Sequence, residues 1–391
     1  MTPNNRYVRI IIGSLEIGGT EQHLAHILPA LTLKGWKIRI LTLKAGGSLE
    51  SFIKKQGIEV SSPPSSKRFN YVPNFLTKLI NLFSYFKFLL GDFRKYPSQL
   101  SHFFLPQSYI MGVIAALCAR VSCPKVMSRR SLNNYQLKYP GIRWVEKKLH
   151  PHLSAIIANS HAVYNQLRDL ENVPVSKLKL IYNGINLEPF QSPLKNQDVL
   201  RSLGIPDHAF VMIIVANLIV YKGHQDLLTA LSLIKQQLPA DWRLLCVGNP
   251  GQISTELEER AKALSLNEHI IWLGLRHDVP TLLCVSHLGI LCSHQEGFAN
   301  SILEGMAAGL PMVVTDAGGN AEAVIHNKTG IVVPSQNPPA LAEAILKLAL
   351  DGDLAKTFGQ AGHLRVQENF ALGACVEAYD HLYKEINGCA V

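Results

Sequence analysis

Two glutamates separated by seven residues, Glu296 and Glu304, frame the stretch of this sequence best suited to hold a ligand. Gly297, Phe298 and Ala299 follow the first carboxylate, and Asn300 and Ser301 open an amphipathic run to about Ala308 that Asn300 can cap as a helix. A glycine lets backbone come close to a ligand. A helix start offers unpaired N–H groups at the positive end of the dipole, which suits phosphate. Carboxylates instead accept hydrogen bonds from hydroxyls. Phosphate donors set between hydroxyl acceptors fit a nucleotide sugar. The plainer reading is a surface loop carrying two solvated acids.

Strands and helices must hold these groups in place. An apolar strand, Leu288 to Ser293, leads into Glu296; Gly309 ends the helix, and Pro311 opens a strand to Thr315. Gly318-Gly319-Asn320-Ala321-Glu322 is a second close-approach loop. Lys222-Gly223-His224 opens a helix after the strand Val211 to Asn217, and a lysine at such a junction is placed to hold a diphosphate. Trp242 to Gly248, Ile270 to Leu273 and Ile331 to Val333 complete the strands of the second half. The first half shows the same alternation, with strands at Val8 to Leu15, Trp36 to Leu43, Ile58 to Ser61, Gln99 to Leu105, Lys125 to Arg129 and Ala155 to Ser160. Gly18-Gly19-Thr20-Glu21 starts a helix to about Lys34 and can approach an anion, although it lacks the full dinucleotide G-x-G-x-x-G pattern.

Charge divides unevenly along the chain. Residues 1–184 hold 25 Lys/Arg against 8 Asp/Glu, a net +17, and residues 185–391 hold 13 against 21, a net −8. The first half therefore faces something anionic, and with no nucleic-acid module in view an anionic membrane surface is the expected partner. Phe75, Leu79, Leu82, Phe83, Phe86, Leu89 and Leu90 follow helical spacing, with Lys67, Arg68, Lys78, Lys87, Arg94 and Lys95 in or beside the helix. A core-packed helix and an interfacial membrane helix both fit that pattern. No apolar run approaches the ~20 residues that span a bilayer, and the N-terminus reads as a first strand rather than a secretion signal. The seven cysteines show no metal spacing, and no Asp-x-Asp element follows a strand, so no catalytic metal is expected. Ser128 to Asn134 reads as a basic, polar loop, either solvated or lining a cleft.

The Glu296–Glu304 pair followed by AAGLPMVVTDAGGNAE resembles the donor-site signature of the retaining glycosyltransferases of family 4. The resemblance implies an α/β fold of GT-B type: two Rossmann-like domains facing a cleft, with a C-terminal helix crossing back to the first. It implies that Glu304 binds the ribose, that Glu296 acts near the reacting carbon, and that the backbone from Gly297 to Ser301 meets sugar and diphosphate. Lys222 is the implied catalytic cation. Gly18 and Gly19 resemble the loop under the donor diphosphate, and Gly274, Arg276 and Asp278-Val279-Pro280 the loop by the base. His102 fits the first position of the family's His-x-His, with Phe104 in the second, so a catalytic and a structural reading of His102 both stand. Asn217 occupies the place of an arginine, for which Arg129 and Arg130 are the nearest substitutes by motif position.

The turn Asn183-Gly184-Ile185-Asn186 resembles the interdomain linker. It sets an acceptor-binding domain at 1–184, a nucleotide-sugar domain at 185–370, and a returning helix within 371–391. The expected activity is retaining transfer of a sugar from a nucleotide-diphosphate sugar, as co-substrate and without other cofactor, to a hydroxyl acceptor. The expected acceptor is a lipid-linked or cell-surface glycan precursor, and the expected location is the inner face of the cytoplasmic membrane. A catalytically weak, donor-binding scaffold is the alternative, and a nucleotide-sugar epimerase of the same fold is disfavoured by the Glu296–Glu304 context.

Overall fold

The computed structural model describes residues 6–64, 74–191 and 197–388. Lys67 and Arg68, and the side chains of Phe75 and Lys78, lie outside that description. The chain forms two compact units, one built from residues up to Gly184 together with those from Leu372, the other from Ile185–Ala371.

The first unit carries seven strands: β1 (Tyr7–Ile12), β2 (Lys37–Thr42), β3 (Glu59–Ser61), β4 (Leu100–Phe104), β5 (Lys125–Arg129), β6 (Ala155–Ala158) and β7 (Leu178–Leu180). They pair in parallel in the order β3-β2-β1-β4-β5-β6-β7. The second unit carries six: β8 (Phe210–Val215), β9 (Trp242–Val247), β10 (Ile270–Gly274), β11 (Leu288–Leu291), β12 (Met312–Thr315) and β13 (Gly330–Val333). Their order is β10-β9-β8-β11-β12-β13, again parallel. Both units are Rossmann-like. Helices cover both faces of such sheets, so the strands read as unbroken apolar runs rather than alternating ones. Ile10, Ile11 and Ile12 in β1 and Val211, Met212, Ile213 and Ile214 in β8 are accordingly buried.

One face of the first sheet packs against the helices Gly19–Leu33 and Leu372–Ile386. The final helix is pinned there by Trp36 Nε1, which donates to Asp380 Oδ1 at 2.8 Å. The other face carries the helices Asn74–Lys95, Pro106–Cys118 and Pro140–Leu149. The core side of that layer contains charge. Arg9 and Arg39 sit side by side in the β1–β2 register, both buried. Adjacent like charges destabilise a sheet. Asp92, on the helix Asn74–Lys95, answers both: Arg9 Nε reaches Oδ1 at 2.8 Å and Arg39 Nη2 reaches Oδ2 at 2.9 Å. The guanidiniums also lie over the rings of Phe93 and Tyr96, at 4.5 and 4.1 Å.

The strand expected at Lys125 to Arg129 forms with those bounds, so Ser128 and Arg129, also read as opening a polar loop, belong to β5, and Arg129 ends it almost wholly buried. Its Nη2 bonds Glu146 at 3.0 Å and Glu171 at 3.4 Å, and His150 Nε2 meets the same Glu171 oxygen at 2.7 Å. Arg129 is therefore neither solvated nor free to replace the arginine missing at Asn217.

Removing one partner of a buried ion pair leaves an uncompensated charge, a cost of about 3–5 kcal/mol. Asp92→Ala should lower the unfolding free energy of the first unit on that scale in a denaturant titration. A change within experimental error would show that the Arg9–Asp92–Arg39 cluster does not anchor the helix to the sheet.

Candidate active site

Strands β8 and β11 are neighbours in the second sheet, although β9 and β10 lie between them in sequence. Where strand order reverses like this, the loops at the carboxyl ends part to opposite sides and leave the crevice in which open α/β sheets bind ligands. The loop after β8 carries Lys222. The loop after β11 carries Glu296.

The two meet. Lys222 Nζ donates to Glu296 Oε1 at 2.5 Å, and Ser293 Oγ donates to the same oxygen at 2.7 Å. Their loops are joined along the backbone, with His294 N donating to Tyr221 O at 2.7 Å. Cys292 Sγ donates to Gly223 O at 3.2 Å. Gly223 adopts a left-handed φ of 74°, and a Cβ there would sit 2.0 Å from Cys292 O. The loop after β12 closes from the other side. Gly318, at φ 56°, passes so near that a Cβ would lie 1.8 Å from Glu296 O, and Gly319 N donates to Gly297 O at 3.0 Å.

Phe298 and Ala299 are buried, and Phe298 packs on Phe370 with ring centroids 5.4 Å apart. What this stretch can present to a ligand is backbone. The helix Asn300–Ala307 then begins one residue earlier than expected. Ala299 is the last extended residue and holds the cap position, so the predicted Asn300 cap is not formed and no side chain caps the helix. Ser301 lies in the first turn, partly exposed. Glu304 follows one turn on. Among the described residues its carboxyl has no hydrogen-bond or ionic partner, and burial pushes it up to about 7 although an edge of the residue is exposed.

The remaining expected residues have surroundings of their own. Arg276 is half-buried and bidentate on Asp278, at 2.8 and 2.6 Å. Gly18 and Gly19 begin the helix Gly19–Leu33 in the first unit, Gly18 as its extended cap residue. His102, also in the first unit, requires a correction. It is fully buried, Nδ1 bonds Tyr383 Oη at 2.7 Å, and Nε2 bonds Ser128 Oγ at 2.8 Å. Burial, and secondarily the charge of Arg130, push its pKa down to about 3. A neutral ring with both nitrogens engaged fastens the final helix to the sheet, which is a structural role rather than a catalytic one. Arg130 donates to Asn183 Oδ1 at 2.8 Å. Asn217, in the arginine position, accepts from Asn249 N at 3.0 Å and so ties the β8 and β9 loops together.

Ser293 was not anticipated from sequence, although a hydroxyl three residues before a site carboxylate is a usable signal. Nor was His224. It opens the helix His224–Ile234, is buried with neither ring nitrogen hydrogen-bonded, and is held down to about 4 by burial and by Lys222.

Residues 17–189 match the family Glycosyltransferase Family 4, and residues 196–365 match Glycosyl transferases group 1. The two matches, one on each unit, support a glycosyltransferase of GT-B fold. It is 25% identical over 299 residues to EpsD of Bacillus subtilis (strain 168), which covers 74% of this chain and 77% of that protein. It is 27% identical over 231 residues to the N-acetyl-alpha-D-glucosaminyl L-malate synthase of Bacillus anthracis, spanning 59% of each. The crystal structure of Anabaena Alr3699/HepE in complex with UDP and glucose superposes with a TM-score of 0.83 at 21% identity, over 97% of this GT-B chain and 100% of that one.

The Glu304 carboxyl titrates near 7 in the fold against an ordinary 4.5, so the stability it contributes is full below 4.5 and is lost as pH rises through 7. Glutamine cannot ionise. Glu304→Gln should match the wild type near pH 4 and exceed it above pH 7, by at most about 3 kcal/mol at 1.36 kcal/mol per pH unit. Thermal midpoints of the two proteins across that range check this. Parallel curves would mean that Glu304 is not desolvated.

Proposed function

We propose that this chain is a retaining transferase that moves a sugar from a nucleotide-diphosphate sugar to the hydroxyl of a lipid-linked or cell-surface glycan precursor, without a metal. The observation that carries the reading is Glu304: a desolvated carboxyl without a partner, one turn into a helix that starts beside the Lys222–Glu296 pair. Such a group is an acceptor awaiting a donor, and a ribose diol supplies two. The UDP and glucose bound by HepE support the donor class.

In this reading the sugar–phosphate bond loosens first, and negative charge gathers on the leaving diphosphate. Lys222 turns from Glu296 toward that charge, and the N–H groups at the start of Asn300–Ala307 share it. Glu296, relieved of its cation, accepts from sugar hydroxyls and stabilises the positive sugar carbon. The acceptor oxygen bonds to that carbon on the face the diphosphate leaves. Its proton passes to a diphosphate oxygen, so no separate base is needed. Arg276 and the loop around it would meet the base.

Asn217 favours a second reading. Its side chain accepts from Asn249, where the resemblance implies a cation. A donor-binding scaffold with weak activity would fit. Donor hydrolysis by the isolated protein, abolished in Glu296→Ala, separates the two; binding without any turnover would favour the scaffold.

Lys222 meets its full charge partner only as the bond breaks, so it acts on the transition state more than on donor binding. Lys222→Ala should lower kcat by about two to three decades, the scale for one preorganised stabiliser of a developing anion, with little change in KM. A rise in KM at unchanged kcat would contradict the role.

A further inference from the structure

A second charged pair runs beside Lys222–Glu296 and joins the same two segments. His294 Nε2 donates to Asp226 Oδ2 at 2.7 Å. A carboxylate only accepts, so Nε2 carries the proton of this bond. The two pairs form a short ladder: Lys222 and Asp226 stand four residues apart on the segment after β8, and Glu296 and His294 two apart on the loop after β11. Asp226 lies in the first turn of the helix His224–Ile234, where the dipole favours a carboxylate. The other side of the ring meets the segment after β13, with Gln336 Nε2 3.4 Å from His294 Nδ1. His294 is thus seated between two neighbours, and its own N–H donates to Tyr221 O.

The two pairs answer differently to a ligand. A diphosphate competes with Glu296 for Lys222, since both are anions and the lysine is a mobile point charge. Asp226 offers a diphosphate nothing but repulsion, and it holds the proton-bearing nitrogen of His294. Of the two pairs, His294–Asp226 is therefore the one that survives donor binding. We propose that His294 is a positioning residue: through Asp226 it keeps Glu296, two residues on, at the sugar after Lys222 has turned to the diphosphate. The inference rests on the donor site proposed above. It gives the ladder two functions, one rung that exchanges and one that stays. A glutamine at 294 can set an amide N–H near the place of Nε2, and alanine cannot.

Amide exchange in the full chain tests it, with whichever of UDP, GDP, ADP, CDP or dTDP raises the thermal midpoint most. The side chains of His294 and Asp226 are 23% and 24% exposed, so the pair adds little to global stability and His294→Ala should keep a near-wild-type midpoint. In the free variant Lys222 still holds Glu296, and residues 294–296 should exchange close to the wild-type rate. With the diphosphate bound they should exchange about tenfold faster than in the wild type, the factor for one lost charge-assisted hydrogen bond. Asp226→Ala should behave alike, His294→Gln should restore the wild-type rate, and His294→Ala on a Lys222→Ala background should show the loss without ligand. The kcat for hydrolysis of the matching nucleotide sugar should fall about tenfold to a hundredfold in His294→Ala, with KM little changed, as for a site group misplaced by about an ångström. Equal exchange of wild type and His294→Ala with the diphosphate bound, full loosening already in the free variant, or no rescue by glutamine would each overturn the proposal. So would undiminished hydrolysis in His294→Ala, which leaves the transferase reading intact. The predicted exchange pattern without any hydrolysis by the wild type would sink that reading and leave the role of His294 standing. Binding of none of the diphosphates would overturn both.

Discussion

Lys222 and Glu296 are 74 residues apart in sequence and 2.5 Å apart in space, and much of the second unit exists to make that so. The strand order brings β8 beside β11, and the backbone bonds between their loops fix the approach. Gly223 and Gly318 remove the two side chains that would hold the loops apart. Either charge alone would bear a desolvation cost there; paired, each lowers the other's. The pair also sets a condition on any ligand. An anion that takes Lys222 must leave Glu296 something to hold, and sugar hydroxyls meet that condition where a bare phosphate does not.

The first unit handles charge differently. Its buried carboxylates are spent inside, Asp92 on two arginines and Glu146 and Glu171 on Arg129 and His150. The buried cations Arg9, Arg39, Lys125 and Arg129 nearly cancel these carboxylates, so burial hardly changes the net +17 counted along residues 1–184. Packing and surface chemistry are coupled: the same ion pairs that seat helices on the sheet strip the outer layer of negative charge.

The fold class was legible because strands buried on both faces must be apolar throughout, and β1, β8 and β12 could hardly be read otherwise. Strand ends were legible only to within a few residues: the expected Val8 to Leu15 closes at Ile12, where the chain leaves its neighbours. The positions of Lys222 and Glu296 after strands followed from the same periodicity. Side-chain environment did not. A histidine in a strand reads alike whether it meets a ligand or a tyrosine 281 residues away, as His102 does with Tyr383. Arg129 was legible as a strand end, but its burial was not, because its partners, Glu146 and Glu171, lie 17 and 42 residues on. Asn300 has the chemistry of a cap, but the cap falls where backbone turns from extended to helical, and that is Ala299. The desolvation of Glu304 arises from packing around a helix and has no local sign in sequence.

A nucleoside diphosphate bound at the switch between β8 and β11 would shield the loops that meet there. Amide hydrogen exchange measured with and without a nucleoside diphosphate reads this out. Exchange should slow at residues 222–226, 297–303 and 318–320, with the amides of the outer helix Pro140–Leu149 unchanged. Protection confined to other segments, with those three stretches exchanging as in the free protein, would contradict it.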